Sequence, residues 1–596
     1  SFILQSSGAA KRLALLHALG ADRSYAERAA EILRLFAERT RGLPVEGSTS
    51  FPVIWTYAYE GDCSTLTPLV TAYELLRGVD GLFSPEEHRA IQQDLLKHWV
   101  DSVFRIEEDH SQRHNNTYRY LFTVALVGCA IEDADYVDWA YGQRAYSITA
   151  RPEHRSLAWL GANNHLDDGA FWGLCSAYHL YALGPHCQAI LLGSKLSRQM
   201  PDLFPPELYD EMDPSNPSGQ TARRAIKWFT SQALPDLTMA PFGDMGGRVS
   251  LATYALTAEI GYRFLGAEEV GRYPSLTEGT RSMTGVLYGA DTIEPKPFSH
   301  PSAFLSSGYV ALRRVAGDNH LYAGLNALVP GSGHSHGDRL NLITYSRDRL
   351  LAGEKRTLYT DVEQRAYSGA SYGHNTVTVD ETSQEHGNYL TGDRIPSIAT
   401  FVDLPALQVA EARGDGVYPQ TATYGRLLCQ FDEYLLDIFR VEGGETHDWF
   451  HHGIGEAPDA SLVMESLDGF EPALYVMRGG SDYQTATTSD PFSVTWRIPA
   501  AEKADLPGRR RDVFSRVMMA AQPNQTVNVL STYPDPAPHS LMVRHAGPSS
   551  LFVAVHEAYH ESPIAVSIHE LAVDGGRAYR IDHADGSMRI VIIGAG

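Results

Sequence analysis

The stretch Gly331-Ser332-Gly333-His334-Ser335-His336-Gly337-Asp338 sets two histidines in a glycine-flanked turn, and Gly373-His374-Asn375-Thr376 sets a third ahead of another apolar run. Glycine lets a backbone turn tightly and approach a ligand, and imidazoles at the mouths of strands are better placed to bind than to fill a core. The chain holds 24 histidines, so it is spacing and not number that singles these out. Leu340, Leu342, Ile343, Leu350 and Leu351 predict two strands joined at Ser346-Arg347-Asp348-Arg349, the second ending in Gly353-Glu354. Such a hairpin returns Glu354 beside His336. His336, Glu354 and His374 then offer nitrogen and oxygen ligands, a set that suits zinc or a similar divalent ion better than a soft metal. His334 is left over for chemistry.

The elements that must carry these residues change character along the chain. Up to about residue 290 the apolar positions recur at helical spacing, as in Ala29, Ile32, Leu33 and Phe36 or Ile91, Leu95, Trp99 and Val103. Ser84-Pro85-Glu86-Glu87 reads as a capping box with proline at the first helical position. Further helices are expected at 66–77, 118–131, 171–183, 222–233 and 250–265. From Ala303 the period becomes two, in runs such as 309–313, 435–441, 552–555 and 589–593, separated by Gly, Pro and Asp turns. The prolines at 295, 297 and 301 place a linker over 291–302. The expected organisation is a helical domain over 1–295 and an antiparallel β domain over 296–596, with a smaller C-terminal sheet after about residue 500.

Composition narrows the function. A chain of 596 residues needs more than one core, and 43% apolar with 20% charged residues makes it globular. A net charge of −23 argues against a nucleic-acid partner. No apolar run reaches the length of a membrane span. Five cysteines without a CxxC pair argue for buried thiols and against a disulfide framework. Ser1-Phe2-Ile3-Leu4-Gln5 is no signal peptide, but a chain that starts without Met leaves a removed export signal open. The place of action is then periplasmic or secreted if a signal was lost, and cytoplasmic otherwise.

The run from Ser307-Gly308-Tyr309 to Arg313, then GSGHSHGDRLNLITYSRDRLLAGE, then YSGASYGHNTVTVDETSQ, resembles the heparinase II/III-like polysaccharide lyases. Two departures are visible: Gly337 stands where alanine is usual, and Glu354 where the metal-binding residue is usually aspartate. The resemblance implies an incomplete (α/α) toroid followed by a large antiparallel β-sandwich. It implies a structural divalent metal, zinc by ligand type, at His336, Glu354 and His374, and no organic cofactor.

It also gives meaning to two helical motifs. Arg113-His114-Asn115-Asn116-Thr117-Tyr118, which by itself reads as an Asn helix cap, matches the family's Asn-Asn-His motif with Thr117 in place of histidine. Asp168-Gly169-Ala170-Phe171, followed by Ser176-Ala177-Tyr178-His179, matches the segment whose tyrosine transfers a proton. Asn116, Tyr178 and His334 become the catalytic candidates, with Asn115, Arg113, Arg119, His179, Asn164 and His165 as substrate contacts. Asn163-Asn164-His165 matches the literal motif but lies too close to Asp168 for the family spacing. An acidic sugar polymer meeting an acidic protein needs a locally basic cleft, for which Arg113, His114, Arg119, Arg151 and Arg155 are the source. Asp244, in Pro241-Phe242-Gly243-Asp244, resembles a late turn of the family but reads first as a turn residue. The segment His447-Asp448-Trp449-Phe450-His451-His452 also resembles the family's β domain, but two of its histidines alternate with apolar residues on a strand and read as structural.

The implied reaction is β-elimination at a hexuronate. An amide neutralises the carboxylate, a base takes the weakly acidic C5 proton, and an acid protonates the leaving O4. The alternatives are a glycoside hydrolase, which would need two carboxylic acids drawn from Asp167, Asp168 and Asp244, and a carbohydrate-binding relative without activity.

Overall fold

The computed structural model describes residues 2–43, 46–48, 51–53, 59–101, 115–142, 156–213, 215–244, 249, 251–272, 289–296, 301–328, 334–354, 357–358, 361–384, 397–414, 416–467, 481–501, 506–531 and 539–594. Helices fill the first half and antiparallel sheets the second. The described parts of 291–302 carry neither helix nor strand.

Local sequence chemistry sets many helix ends. Ser84 accepts from the Glu87 N–H while the Glu87 carboxylate accepts from the Ser84 N–H, and Pro85 opens the helix as the capping signature requires. That helix runs into a π-helical turn over Ile91–Lys97. Two expectations shift. The helix expected at 171–183 begins at Ser176 and continues to Gln199, because Asp168-Gly169 forms a turn, Phe171 bridges to His165 and Leu174 takes a left-handed φ of 48°. A Cβ on Gly169 would lie 2.2 Å from the Arg224 carbonyl carbon, so the turn is pressed onto the helix Pro217–Gln232. The other shift is at the chain's end. Strands Val513–Met519, Gln525–Ser531, His539–Ala546 and Ser549–Tyr559 belong to the two large sheets, so the small three-stranded sheet starts at Ala565 and not near 500.

An eight-stranded and a six-stranded sheet form the sandwich, with Trp449, Trp496, Phe439 and Val517 in its core. Between them and the helices lies a five-stranded antiparallel sheet that includes Tyr309–Ala316, Asn319–Asn326, Asn341–Ser346 and Arg349–Ala352. Tyr309, Ala311, Tyr322, Ile343 and Tyr345 pack into the helical core, whereas Val310, Leu312, Ala323, Leu325 and Leu342 pack into the sandwich core. This sheet is therefore buried on both faces, and every residue of Asn341–Ser346 is buried. Hydrogen bonds lock it to the helices: Arg313 donates to the Ser231 and Ala233 carbonyls, and Tyr322 to the Gln232 carbonyl. All five cysteines are free thiols, four of them buried. No described helix is long and apolar enough to cross a membrane.

Candidate active site

The five-stranded sheet carries the histidine loop to the helices. Arg347 and Asp348 both have positive φ, 51° and 58°, and close the hairpin between Ser346 and Arg349 as a two-residue turn. That turn brings Glu354 back beside the loop before Asn341. There the Tyr178 ring, from the third residue of the helix Ser176–Gln199, stacks on His334 with centroids 3.6 Å apart and planes 14° from parallel. One residue from each half of the chain thus forms a pair.

Asp244 fixes that pair. Its Oδ2 lies 2.9 Å from His334 Nδ1 and its Oδ1 2.9 Å from His336 Nε2, while its backbone N–H donates to the His334 carbonyl. A carboxylate only accepts, so the protons sit on His334 Nδ1 and His336 Nε2. In the neutral imidazoles the lone pairs are then on His334 Nε2 and His336 Nδ1. Gly243 makes the approach feasible: its φ is +70°, and a Cβ there would come 2.7 Å from the His334 carbonyl oxygen. His334 keeps 20% of its side chain exposed, against 5% for Asp244 and for His336. The more open imidazole is the one beside Tyr178. Asp244 was weighed as a turn residue on sequence; the glycine before it was the signal of a close approach.

His336, Glu354 and His374 each offer a ligand atom within 4.8 Å of the others. His336 Nδ1 and His374 Nε2 are buried without a hydrogen bond among the described residues, and His374 Nδ1 lies 3.3 Å from Glu354 Oε1. Burial, and then the Asp338 charge, push the Glu354 carboxyl well above its ordinary range, against the pull of His336 and of the amide of Asn341. Burial likewise lowers the His374 imidazole. Lone pairs without protons to accept, around a carboxylate that burial disfavours, fit a cation. Second-rank contacts hold the three residues. Asn341 donates to Glu354; the Asn375 backbone N–H donates to Asn341 Oδ1, and the Asn375 side chain donates to the Leu342 carbonyl and accepts from the His452 N–H. Arg426, paired with Asp437, donates to the Leu340 and Asn375 carbonyls at 2.6 Å each. These amides and the Arg426–Asp437 pair were not foreseen; their only sequence trace is a polar residue at an inward position of an apolar strand.

On the helical side, Asn115 and Asn116 are buried at the start of the helix Thr117–Ile131, and Asn116 makes no capping bond with its side chain. Arg119, one turn on, donates to Ser64 Oγ and lies over the Tyr181 ring, Cζ 4.1 Å from its centroid. Tyr181 is 6.4 Å from Tyr178. Tyr118 contacts His165, so the two asparagine motifs converge.

Three expected substrate contacts sit elsewhere. His179 is fully buried, its Nδ1 accepting from the Phe171 N–H and its Nε2 donating to the Ala225 carbonyl. With both nitrogens committed to backbone, it pins the turn before the Tyr178 helix. Asn164 is wholly enclosed, and His165, half-buried, lies among the rings of Tyr118, Phe171, His179 and His186. Arg113, His114, Arg151 and Arg155 lie outside the described residues. His452 and His447 bond to Ser540 and Ser550 and are structural, as their strand pattern indicated.

Residues 297–432 match the family model described as heparinase II/III-like, C-terminal. An alginate lyase of Stenotrophomonas maltophilia (strain K279a) is 22% identical over 532 residues, 81% of this chain and 67% of that protein. Among solved structures, a mutant heparan sulfate lyase from Pedobacter heparinus superposes with a TM-score of 0.64 at 14% identity, over 98% of this chain and 81% of the other. A heparinase III gives 0.60 at 13%, over 98% and 83%. The superfamily resemblance read from the motifs is borne out, and with it the toroid followed by a β-sandwich.

Proposed function

We propose that this chain is a polysaccharide lyase that breaks a uronic-acid-containing polymer, of alginate or glycosaminoglycan type, by β-elimination. The observation that carries the reading is the Tyr178–His334 stack. The stack supports the reading because a phenol and an imidazole side by side are the kind of pair needed to remove a proton from C5 and deliver one to O4. The C5–H bond breaks, its electrons form the C4–C5 double bond, and the C4–O4 bond leaves with its electrons to take the donated proton. Asn116 is assigned to the carboxylate on the strength of the motif and its place one turn before Arg119. Asp244 holds His334 in one tautomer and orientation. A divalent ion held by His336, Glu354 and His374 would compensate the buried carboxylate and brace the loop. The relatives named alginate lyase and heparan sulfate lyase support the polymer class.

Two of the three carboxylates a hydrolase could draw on are occupied. Asp168 accepts from the Ala170 and Ser307 N–H groups, and both oxygens of Asp244 are bonded to histidines. Neither pairs with a second acid as hydrolysis requires.

The test is ultraviolet absorbance of the unsaturated uronide, assayed across alginate, heparan sulfate, hyaluronan and chondroitin. A rise on one of them is expected. Reducing ends released without that absorbance mark a hydrolase, and no turnover on any polymer removes the lyase reading. Elemental analysis of protein purified without chelator is expected to find one divalent ion per chain.

A further inference from the structure

We propose that Arg119 is the receptor for a carboxylate of the sugar chain, on the uronate residue next to the one whose bond is broken. This deepens the lyase reading and rests on it. The starting point is charge: a protein of net charge −23 repels a polyuronate at long range, so attraction must be supplied locally.

Arg119 is a cation that no described residue neutralises. It pairs with no carboxylate among the described residues, whereas Arg77 on the neighbouring helix pairs with Glu74 and Glu132. Among the described residues its Nε is buried without a hydrogen bond, and its only polar contact is the 2.8 Å bond from Nη1 to Ser64 Oγ. It also stands at the third residue of Thr117–Ile131, the end of a helix where the macrodipole is positive and a cation is disfavoured. A half-buried, unpaired charge at the wrong end of a helix lowers stability, and local rules are broken in this way at functional sites. Guanidinium and helix end add to one positive potential, which an anion would relieve.

Position fits that role. Arg119 lies on Tyr181, Tyr181 is next to Tyr178, and Tyr178 stacks on His334, so two short ring contacts separate the guanidinium from the Tyr178 ring. The stack and the Ser64 bond orient the group before any ligand arrives, which reduces the ordering cost of binding. A planar fork in a fixed orientation matches a carboxylate.

The test uses the full chain and an oligomannuronate tetramer. Arg119→Gln is expected to raise KM by about tenfold or more while kcat changes by less than about threefold, with Arg119→Lys recovering part of the loss. Ser64→Ala, a milder change, is expected to raise KM by a smaller factor and keeps the test open should Arg119→Gln fail to fold. In a Tyr178→Phe background, calorimetric titration with the tetramer should depend on Arg119, and titration with its methyl ester should not. An unmoved KM overturns the proposal, as does equal loss with acid and ester. Loss confined to a sulfated heparan tetrasaccharide also overturns it, since the receptor would then read sulfate. If wild-type protein forms no unsaturated product, the lyase reading fails while the calorimetry still reads the receptor.

Discussion

On the β side of the site, working residues are tied down by polar bonds: His336 by Asp244, Glu354 by Asn341, and the backbone around His374 by Asn375 and Arg426. On the helical side they are held by rings, Tyr178 against His334 and Arg119 against Tyr181. Both sides use a bulky residue in the left-handed region to turn the chain, Leu340 (φ 61°) after the histidine loop and Leu174 (φ 48°) before the Tyr178 helix. Both also divide close neighbours between proposed chemistry and structure, His334 from His336 and Tyr178 from His179. A charged cluster needs directional partners to stay buried. A phenol that must exchange protons needs a platform that leaves its hydroxyl accessible.

The sharpest test of this contrast is Tyr178→Phe. The ring, and so the stack on His334, is retained while the phenolic proton is lost. Activity should fall by about a thousandfold with the melting temperature unchanged, measured by product absorbance and calorimetry. Near-normal turnover would move the role to Tyr181.

His334→Ala and His336→Ala should then fail differently. The first is expected to reduce turnover by roughly a hundredfold or more and leave metal content near wild type. The second removes a ligand, so metal content and thermal stability should both fall, by more than the roughly tenfold to hundredfold in affinity that loss of an outer partner costs. Equal metal loss in both would make the two histidines joint ligands.

Asp244→Asn probes the bond they share. An amide cannot accept from both imidazoles with equal geometry, so a loss of roughly tenfold to a hundredfold in activity or metal affinity is expected. Elemental analysis and steady-state rates separate the two effects. A variant unchanged in both would reduce Asp244 to the turn residue its sequence context first indicated.

Much of the β side was legible because its ligands lie at the ends of strands joined by short turns, where sequence spacing becomes spatial spacing. His336, Glu354 and His374 fall together for that reason. Asp244 did not show itself, since it reaches the histidines from another element 90 residues away and only Gly243 marks the approach. The five-stranded sheet between the helices and the sandwich was read as ordinary alternation, although it is buried on both faces. A period of two says which residues share a face and nothing of what covers each face. The helix before Tyr178 was started too early because Phe171 keeps helical phase with Cys175 while the Asp168-Gly169 turn breaks the backbone. His179 was misplaced with it: a histidine beside a catalytic tyrosine on a helix points about a quarter-turn away.

That quarter-turn supports the smallest expected effect. Burial depresses the His179 imidazole to about 4, with the Ala225 carbonyl opposing. A base whose folded value lies below its unfolded value of about 6.5 binds fewer protons when folded. Stability from this group is therefore complete above about pH 6.5 and is lost as pH falls toward about 4, by an amount on the order of 3 kcal/mol. His179→Gln removes the titration and can still donate to Ala225. The variant should keep activity within about threefold of wild type at neutral pH, since no substrate contact is lost. Its melting temperature should fall less than that of wild type between pH 6.5 and pH 4. A large drop in kcat with unchanged stability would return His179 to the cleft, and the division between adjacent residues would then hold on the β side alone.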